Sequence, residues 1–132
     1  MPSSSTPQAE PPSIDDLLEQ VRGGLPPRPG PDELPRILDE GGLVVDIRPM
    51  HQRQQDGELP GAVVVDRNVL EWRLDPQSPN RIPEVRDHDQ QIVVVCNEGY
   101  ASSLAAETLQ RIGFHRATDL DGGYQAWRNP DK

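Results

Sequence analysis

A single cysteine, Cys96, is present, so no disulfide can close within the chain and nothing calls for an oxidising compartment. Positive charge is scarce too. Thirteen Lys and Arg against 22 Asp and Glu leave a formal net charge of −9, which argues against nucleic acid or an anionic membrane as a partner. Any anionic substrate must then be drawn in by local cations or backbone dipoles. No apolar run approaches the length of a membrane span, and the first residues lack the basic start and apolar stretch of a secretory signal. A cytoplasmic protein is the expectation. Apolar residues make up 33% of the chain and mean hydropathy is −0.71, while 15 prolines and 11 glycines assign part of it to tail and loop. His51, His88 and His115 show no metal-ligand spacing with each other or with Cys96, so neither a metal nor another cofactor is expected.

What is present reads as one domain behind a short leader segment. Residues 1–12, "MPSSSTPQAEPP", are rich in Ser and Pro and predict a disordered tail. Residues 13–30 predict a helix and a stiff Pro-rich connector. Ser13 and Asp16 form a capping box, Ile14, Leu17, Leu18 and Val21 share one helical face, and Gly23-Gly24 end it. A second short helix is expected in "DELPRILDEGG", with Leu34, Ile37 and Leu38 on one side.

From there apolar runs alternate with helical patterns. Residues 43–48, 61–65 and 91–96 read as strands buried on both faces, with a weaker strand at 116–120. Between the second and third, Asn68 and Glu71 predict a capping box over Val69, Leu70 and Trp72. After Cys96, Ala105, Leu109 and Ile112 share a helical face that ends at Gly113, and residues 122–127 predict a last helix. Trp72 and Trp127 are expected to pack on the core. Strands separated by helices predict an α/β domain with a parallel sheet covered on both sides.

Such sheets bind ligands beyond the carboxyl ends of their strands. Cys96 stands there, at the end of an apolar strand and before a helix whose first N–H groups and dipole favour a negative charge. Gly99 allows the intervening loop a positive φ, curling its amides around the sulfur. The placement suits a sulfur anion, and a thiolate is the nucleophilic form of cysteine. A lone cysteine ending an apolar run also fits a small buried hydrophobe, and the residues alone leave both readings open.

Four motifs in order narrow the choice: "VVDIRP", "GELPGA", "VVVCNEGYASS" and "DLDGGYQAW". Together they resemble the rhodanese domain, and the loop resembles those of small single-domain rhodanese-like proteins of actinobacteria. The resemblance covers residues 31–132 and implies a rhodanese-like α/β fold with a central parallel five-stranded sheet flanked by helices on both faces. It implies that Cys96 carries sulfur as a persulfide and that Asn97, Glu98, Gly99, Tyr100, Ala101 and Ser102 form the loop around it. Asp46 and Arg48 occupy positions that support the active-site side. The implied activity is a sulfurtransferase moving sulfane sulfur from thiosulfate or a thiol-based persulfide to a thiol or cyanide, with a partner protein in sulfur relay as a further candidate.

The loop departs from the family pattern. Ala101 stands where thiosulfate-using relatives commonly carry arginine, and Glu98 would repel a dianion. A thiol-based donor or a partner's persulfide fits better. Arg48, Arg67 and Arg73 are the candidates for the missing cation. Two rival readings follow: a rhodanese fold kept for partner contact with little turnover, and phosphatase or arsenate-reductase chemistry. The second requires an arginine closing a longer loop, which this chain lacks.

Overall fold

The computed structural model describes residues 10–130; most of the stretch expected to be a disordered tail therefore lies outside the described residues. Helix α1 (Ile14–Gly23) starts on the expected capping box. The Ser13 hydroxyl accepts the Asp16 amide at 3.0 Å, and the Asp16 carboxylate accepts that of Ser13 at 3.0 Å. The connector then leads through a 3-10 turn (Pro31–Glu33) into α2 (Leu34–Asp39).

Strands β1 (Leu43–Asp46), β2 (Val63–Val64), β3 (Ile92–Val95) and β4 (Ala117–Asp119) form one parallel sheet in the order β2-β1-β3-β4. Val45 pairs with Val63 on one side and Val94 on the other, and Val94 pairs with Asp119. The expected fifth strand is absent among the described residues. The long passage from Asp75 to Gln91 adds no strand: it is interrupted by Pro76, Pro79 and Pro83 and closed by side-chain turns at Asp75, Ser78 and Asp87. Proline offers no amide to a ladder, so this segment caps the domain as turns.

Side chains alternate across β1 and β3. Leu43, Val45, Ile92 and Val94 point toward α4 (Leu70–Leu74) and α5 (Ala101–Arg111), where Leu70, Leu74, Ala105, Leu109 and Phe114 complete one core. Val44, Val93 and Val95 point the other way, onto Ile37 of α2 and Tyr124 of α6 (Gly123–Arg128). Trp127 is half-buried against this second core, as expected, but Trp72 is 60% exposed and contributes to neither. The cap before α4 is also not the one expected. Asp66 accepts the Asn68 amide at 2.8 Å, and Glu71 instead pairs with Arg67. A further helix, α3 (Met50–Asp56), follows β1.

Chain order against spatial order locates the crevice. From β1 the chain runs first to β2 on one side and then to β3 on the other, so the carboxyl ends of β1 and β3 diverge at a topological switch point. Ile47 and Arg48 leave β1 there, and Cys96 leaves β3.

Candidate active site

Cys96 is 8% exposed, and two main-chain amides point at its Sγ. The Gly99 amide reaches it at 3.2 Å and the Ser102 amide at 3.4 Å, while the thiol donates to the Ser102 hydroxyl at 3.1 Å. Ser102 belongs to the first turn of α5, whose amides have no intrahelical acceptor. The sulfur takes one of them. Gly99 has φ +90°, the conformation expected of it.

The rest of the loop is oriented from outside. Its Cys96 carbonyl accepts the Tyr124 amide at 2.9 Å, and its Asn97 carbonyl accepts that of Gln125 at 3.0 Å, both from the first turn of α6. Both peptides are trans, so in each plane the N–H points opposite to the anchored carbonyl. The amides of Asn97 and Glu98 therefore face away from α6. Two glycines let α6 come this close. A Cβ on Gly123 would stand 2.7 Å from the Cys96 oxygen and 2.7 Å from the Gly99 nitrogen, and one on Gly99 would stand 2.9 Å from the Gly122 nitrogen. The Leu-x-Gly-Gly motif is the floor on which the cysteine loop rests.

Behind the sulfur lies a buried polar cluster. The Ser102 hydroxyl donates to Asp119 Oδ2 at 2.7 Å and the Ser103 hydroxyl to the same oxygen at 2.9 Å; all three residues are buried. Arg28 closes it, with Nε 2.7 Å from Asp119 Oδ1 and Nη2 3.2 Å from Oδ2. Burial opposes the Arg28 charge. The hydrogen bond and charge of Asp119, helped by Asp121 and Cys96, outweigh it and hold the guanidinium above its ordinary value.

In front of the sulfur opens a cavity of about 370 Å³. Cys96, Asn97, Glu98, Tyr100 and Ala101 line one wall; Ile47, Arg48, Pro49, Gln52 and Arg67 line the other. Of the candidate cations, Arg48 and Arg67 line the cavity, Arg48 with its guanidinium wholly buried. Arg48 is buried against Asp46 at 2.8 Å, and Arg67 pairs with Glu71 at 3.0 Å. Arg73 does not line it: on α4 it donates to the Asn80 carbonyl at 2.7 Å. Gly99 and Ser102 sit beneath the cavity, against Sγ. Sequence reading passed over Arg22, Arg28, Ser103 and Asp119, because the two arginines join the site across more than 70 residues of chain. Asp119 joins the two serines across 16 and 17 residues, which only folding brings together.

Among the described residues, no three His, Cys, Asp or Glu side chains are grouped to hold a metal, and no helix is long and apolar enough to cross a membrane. Fold and site together define a small α/β domain in which main-chain amides cradle one cysteine sulfur at the carboxyl edge of a parallel sheet. The chain belongs to the rhodanese-like domain family, whose profile matches residues 30–130. It is 30% identical over 99 residues to the thiosulfate sulfurtransferase GlpE of Stutzerimonas stutzeri (strain A1501), covering 75% of this chain and 82% of that protein. Among solved structures it is similar to RPA3614 of Rhodopseudomonas palustris CGA009, a protein of unknown function described as a possible tyrosine phosphatase. That match has a TM-score of 0.78 and 29% identity, over 95% of this chain and 96% of that one. The human single-domain sulfurtransferase TSTD1 shares the fold, with a TM-score of 0.67 at 22% identity over 81% of this chain and 99% of that one.

Proposed function

We propose that this protein is a sulfurtransferase that carries sulfane sulfur as a persulfide on Cys96. The observation that carries the reading is the pair of amides, Gly99 and Ser102, aimed at a sulfur that opens onto a cavity. The Cys96 thiolate attacks the outer sulfur of the donor. The S–S bond of the donor breaks and its remainder leaves with the electron pair, sulfite from thiosulfate or a thiolate from an organic persulfide. An acceptor thiolate or cyanide then attacks the terminal sulfur of Cys96-S-S⁻, and Cys96 leaves as the thiolate it began as. Amides around the sulfur stabilise the anion before and after each displacement. Similarity to a protein named thiosulfate sulfurtransferase supports this chemistry. The phosphatase reading finds less support, because no arginine lies between Cys96 and Ala101 to grip a tetrahedral oxyanion.

Intact-mass measurement after exposure to thiosulfate, glutathione persulfide or a persulfidated protein tests the reading. The wild type is expected to gain one sulfur atom and Cys96→Ser none. A wild type that takes sulfur from no donor overturns the assignment and leaves a binding module.

Donor choice follows from the charges on the cavity. Glu98 is exposed at the mouth, and the cavity's two arginines are each paired with a carboxylate. We infer that a thiol-based persulfide, from a small molecule or a partner protein, is favoured over the thiosulfate dianion. Glu98→Gln should raise kcat/KM for thiosulfate roughly threefold at low ionic strength, with the gain shrinking as salt screens the mouth. β-Mercaptoethanol persulfide, a monoanion at neutral pH against the thiosulfate dianion, should gain less. A Glu98→Gln variant that treats both donors alike removes electrostatics from donor choice.

A further inference from the structure

The cysteine loop has no basic side chain of its own, yet one of its carbonyls is held by two guanidinium groups. Gly99 O accepts Arg22 Nη2 at 2.7 Å and Arg28 Nη2 at 3.1 Å. Both arginines come from residues 13–30, the first from the last turn of α1 and the second from the Pro-rich connector. Nε of Arg22 also binds the Ser103 hydroxyl at 3.0 Å, and its guanidinium lies 5.9 Å from the centre of the Tyr100 ring. The N-terminal segment thus reaches around the domain and grips the loop from behind.

We propose that Arg22 and Arg28 are positioning residues for Cys96: they set the Gly99–Tyr100 peptide with its N–H toward the sulfur side, and they back the loop with positive charge. The inference rests on Cys96 being the nucleophile proposed above. The peptide is trans, so pulling its oxygen toward the arginines turns the Tyr100 N–H the opposite way. Charge-assisted bonds are roughly twice as strong as neutral ones, and they polarise the peptide so that its N–H presents more positive charge. One neutral donor would satisfy a buried carbonyl. Two cations on the same oxygen do more than satisfy it.

Arg28 has a second effect. Asp119 is a buried carboxylate one hydroxyl away from Sγ, through Ser102. Unopposed, its charge would disfavour a sulfur anion. The Arg28 guanidinium sits on both carboxylate oxygens and cancels that charge. Because burial and Asp119 together leave Arg28 held above an already high ordinary value, it stays cationic over any pH at which the protein is assayed. The other charges around the cavity are Glu98 in the loop and, opposite, Arg67, already paired with Glu71; the Arg48 guanidinium is buried on Asp46 and the Tyr124 ring.

The test is the pH dependence of Cys96 alkylation by iodoacetamide, read by intact mass, which needs no sulfur transfer. Arg22→Gln and Arg28→Gln should each move the midpoint up by about one pH unit, which is about tenfold less thiolate at neutral pH. Arg22→Lys, keeping the charge, should recover most of that shift. Arg28→Gln combined with Asp119→Asn should return most of the way, because the uncancelled carboxylate is gone. Arg111→Gln, at the exposed far end of α5, is the control and should leave the midpoint in place. Wild-type midpoints in both Gln variants overturn the proposal. Should Arg28→Gln not fold, Arg22→Gln, half-exposed and outside the Asp119 pair, decides alone. A shifted midpoint with no sulfur uptake by the wild type keeps the positioning role and sinks the persulfide reading; uptake with unmoved midpoints does the reverse.

Discussion

Gly123→Ala should destabilise the protein by about 2–4 kcal/mol and reduce sulfur loading of Cys96 at least a hundredfold. Gly123 has φ +64°, where an L side chain costs roughly 1–2 kcal/mol before any contact is counted. The contacts are worse than the torsion. An added Cβ would stand 2.7 Å from the Cys96 oxygen, 2.7 Å from the Gly99 nitrogen and 2.8 Å from the Asn97 carbonyl carbon. All three are backbone atoms of the loop, so none can swing aside as a side chain would. Relief comes only by lifting the loop off α6, which breaks the bonds from Tyr124 and Gln125 and turns the Gly99 amide off Sγ. Two other glycines act as controls. Gly122→Ala shares the left-handed torsion but meets the Ala126 side chain, so it should cost stability while leaving loading per folded molecule largely intact. Gly23→Ala meets nothing within 4 Å and should be neutral or slightly stabilising. Thermal melts and sulfur loading on the three variants check this ranking. Wild-type loading in Gly123→Ala would mean that the glycine floor does not hold the cradle.

The same contrast explains what could be read from the sequence. Ser13 with Asp16 was legible because a capping box closes within four residues and needs no tertiary partner. The positive φ of Gly99 was legible because a strand-to-helix turn around a sulfur leaves few other conformations. The Asn68–Glu71 box failed to a competitor two residues upstream: Asp66 reaches the Asn68 amide first, which frees Glu71 for Arg67. Helix α3 went unread because "MHQRQQD" has no apolar stripe and buries no residue. Its place is set by what surrounds it, as when Arg128 binds Asp56 at 2.7 Å. Sequence points to Arg48, Arg67 and Arg73 for the site's cation because each follows a strand toward the sheet's carboxyl edge. The cations that touch the loop come from a helix and connector 77 and 71 residues away, and only folding brings those together. Local chemistry was readable, and long-range electrostatics was not.

Arg48→Met should cost about 3–5 kcal/mol, the range for stranding one partner of a buried ion pair. Arg48 and Asp46 are both essentially without solvent. Asp46 Oδ1 accepts the Arg48 amide at 3.0 Å and its Nε at 3.1 Å, and Oδ2 accepts Nη2 at 2.8 Å. The same Nη2 donates to the Gly57 carbonyl at 2.9 Å. Nη1 has no hydrogen-bond partner among the described residues, and the guanidinium lies 3.6 Å from the centre of the Tyr124 ring, whose face offsets the missing bond. Methionine fills comparable space but leaves the Asp46 carboxylate in a dry site with only the backbone amide of position 48. If the cost is stranded charge rather than lost shape, Asp46→Leu combined with Arg48→Met should recover at least half of it, because the double variant buries no ion. Urea unfolding of both single variants and the double one gives the coupling. Simple additivity would mean that the pair contributes through packing alone. Loading of Cys96 should fall far less than stability in Arg48→Met at a temperature where it remains folded. Arg48 meets the sulfur only indirectly, through Tyr124, whose amide anchors the Cys96 carbonyl, and that backbone bond survives loss of the guanidinium.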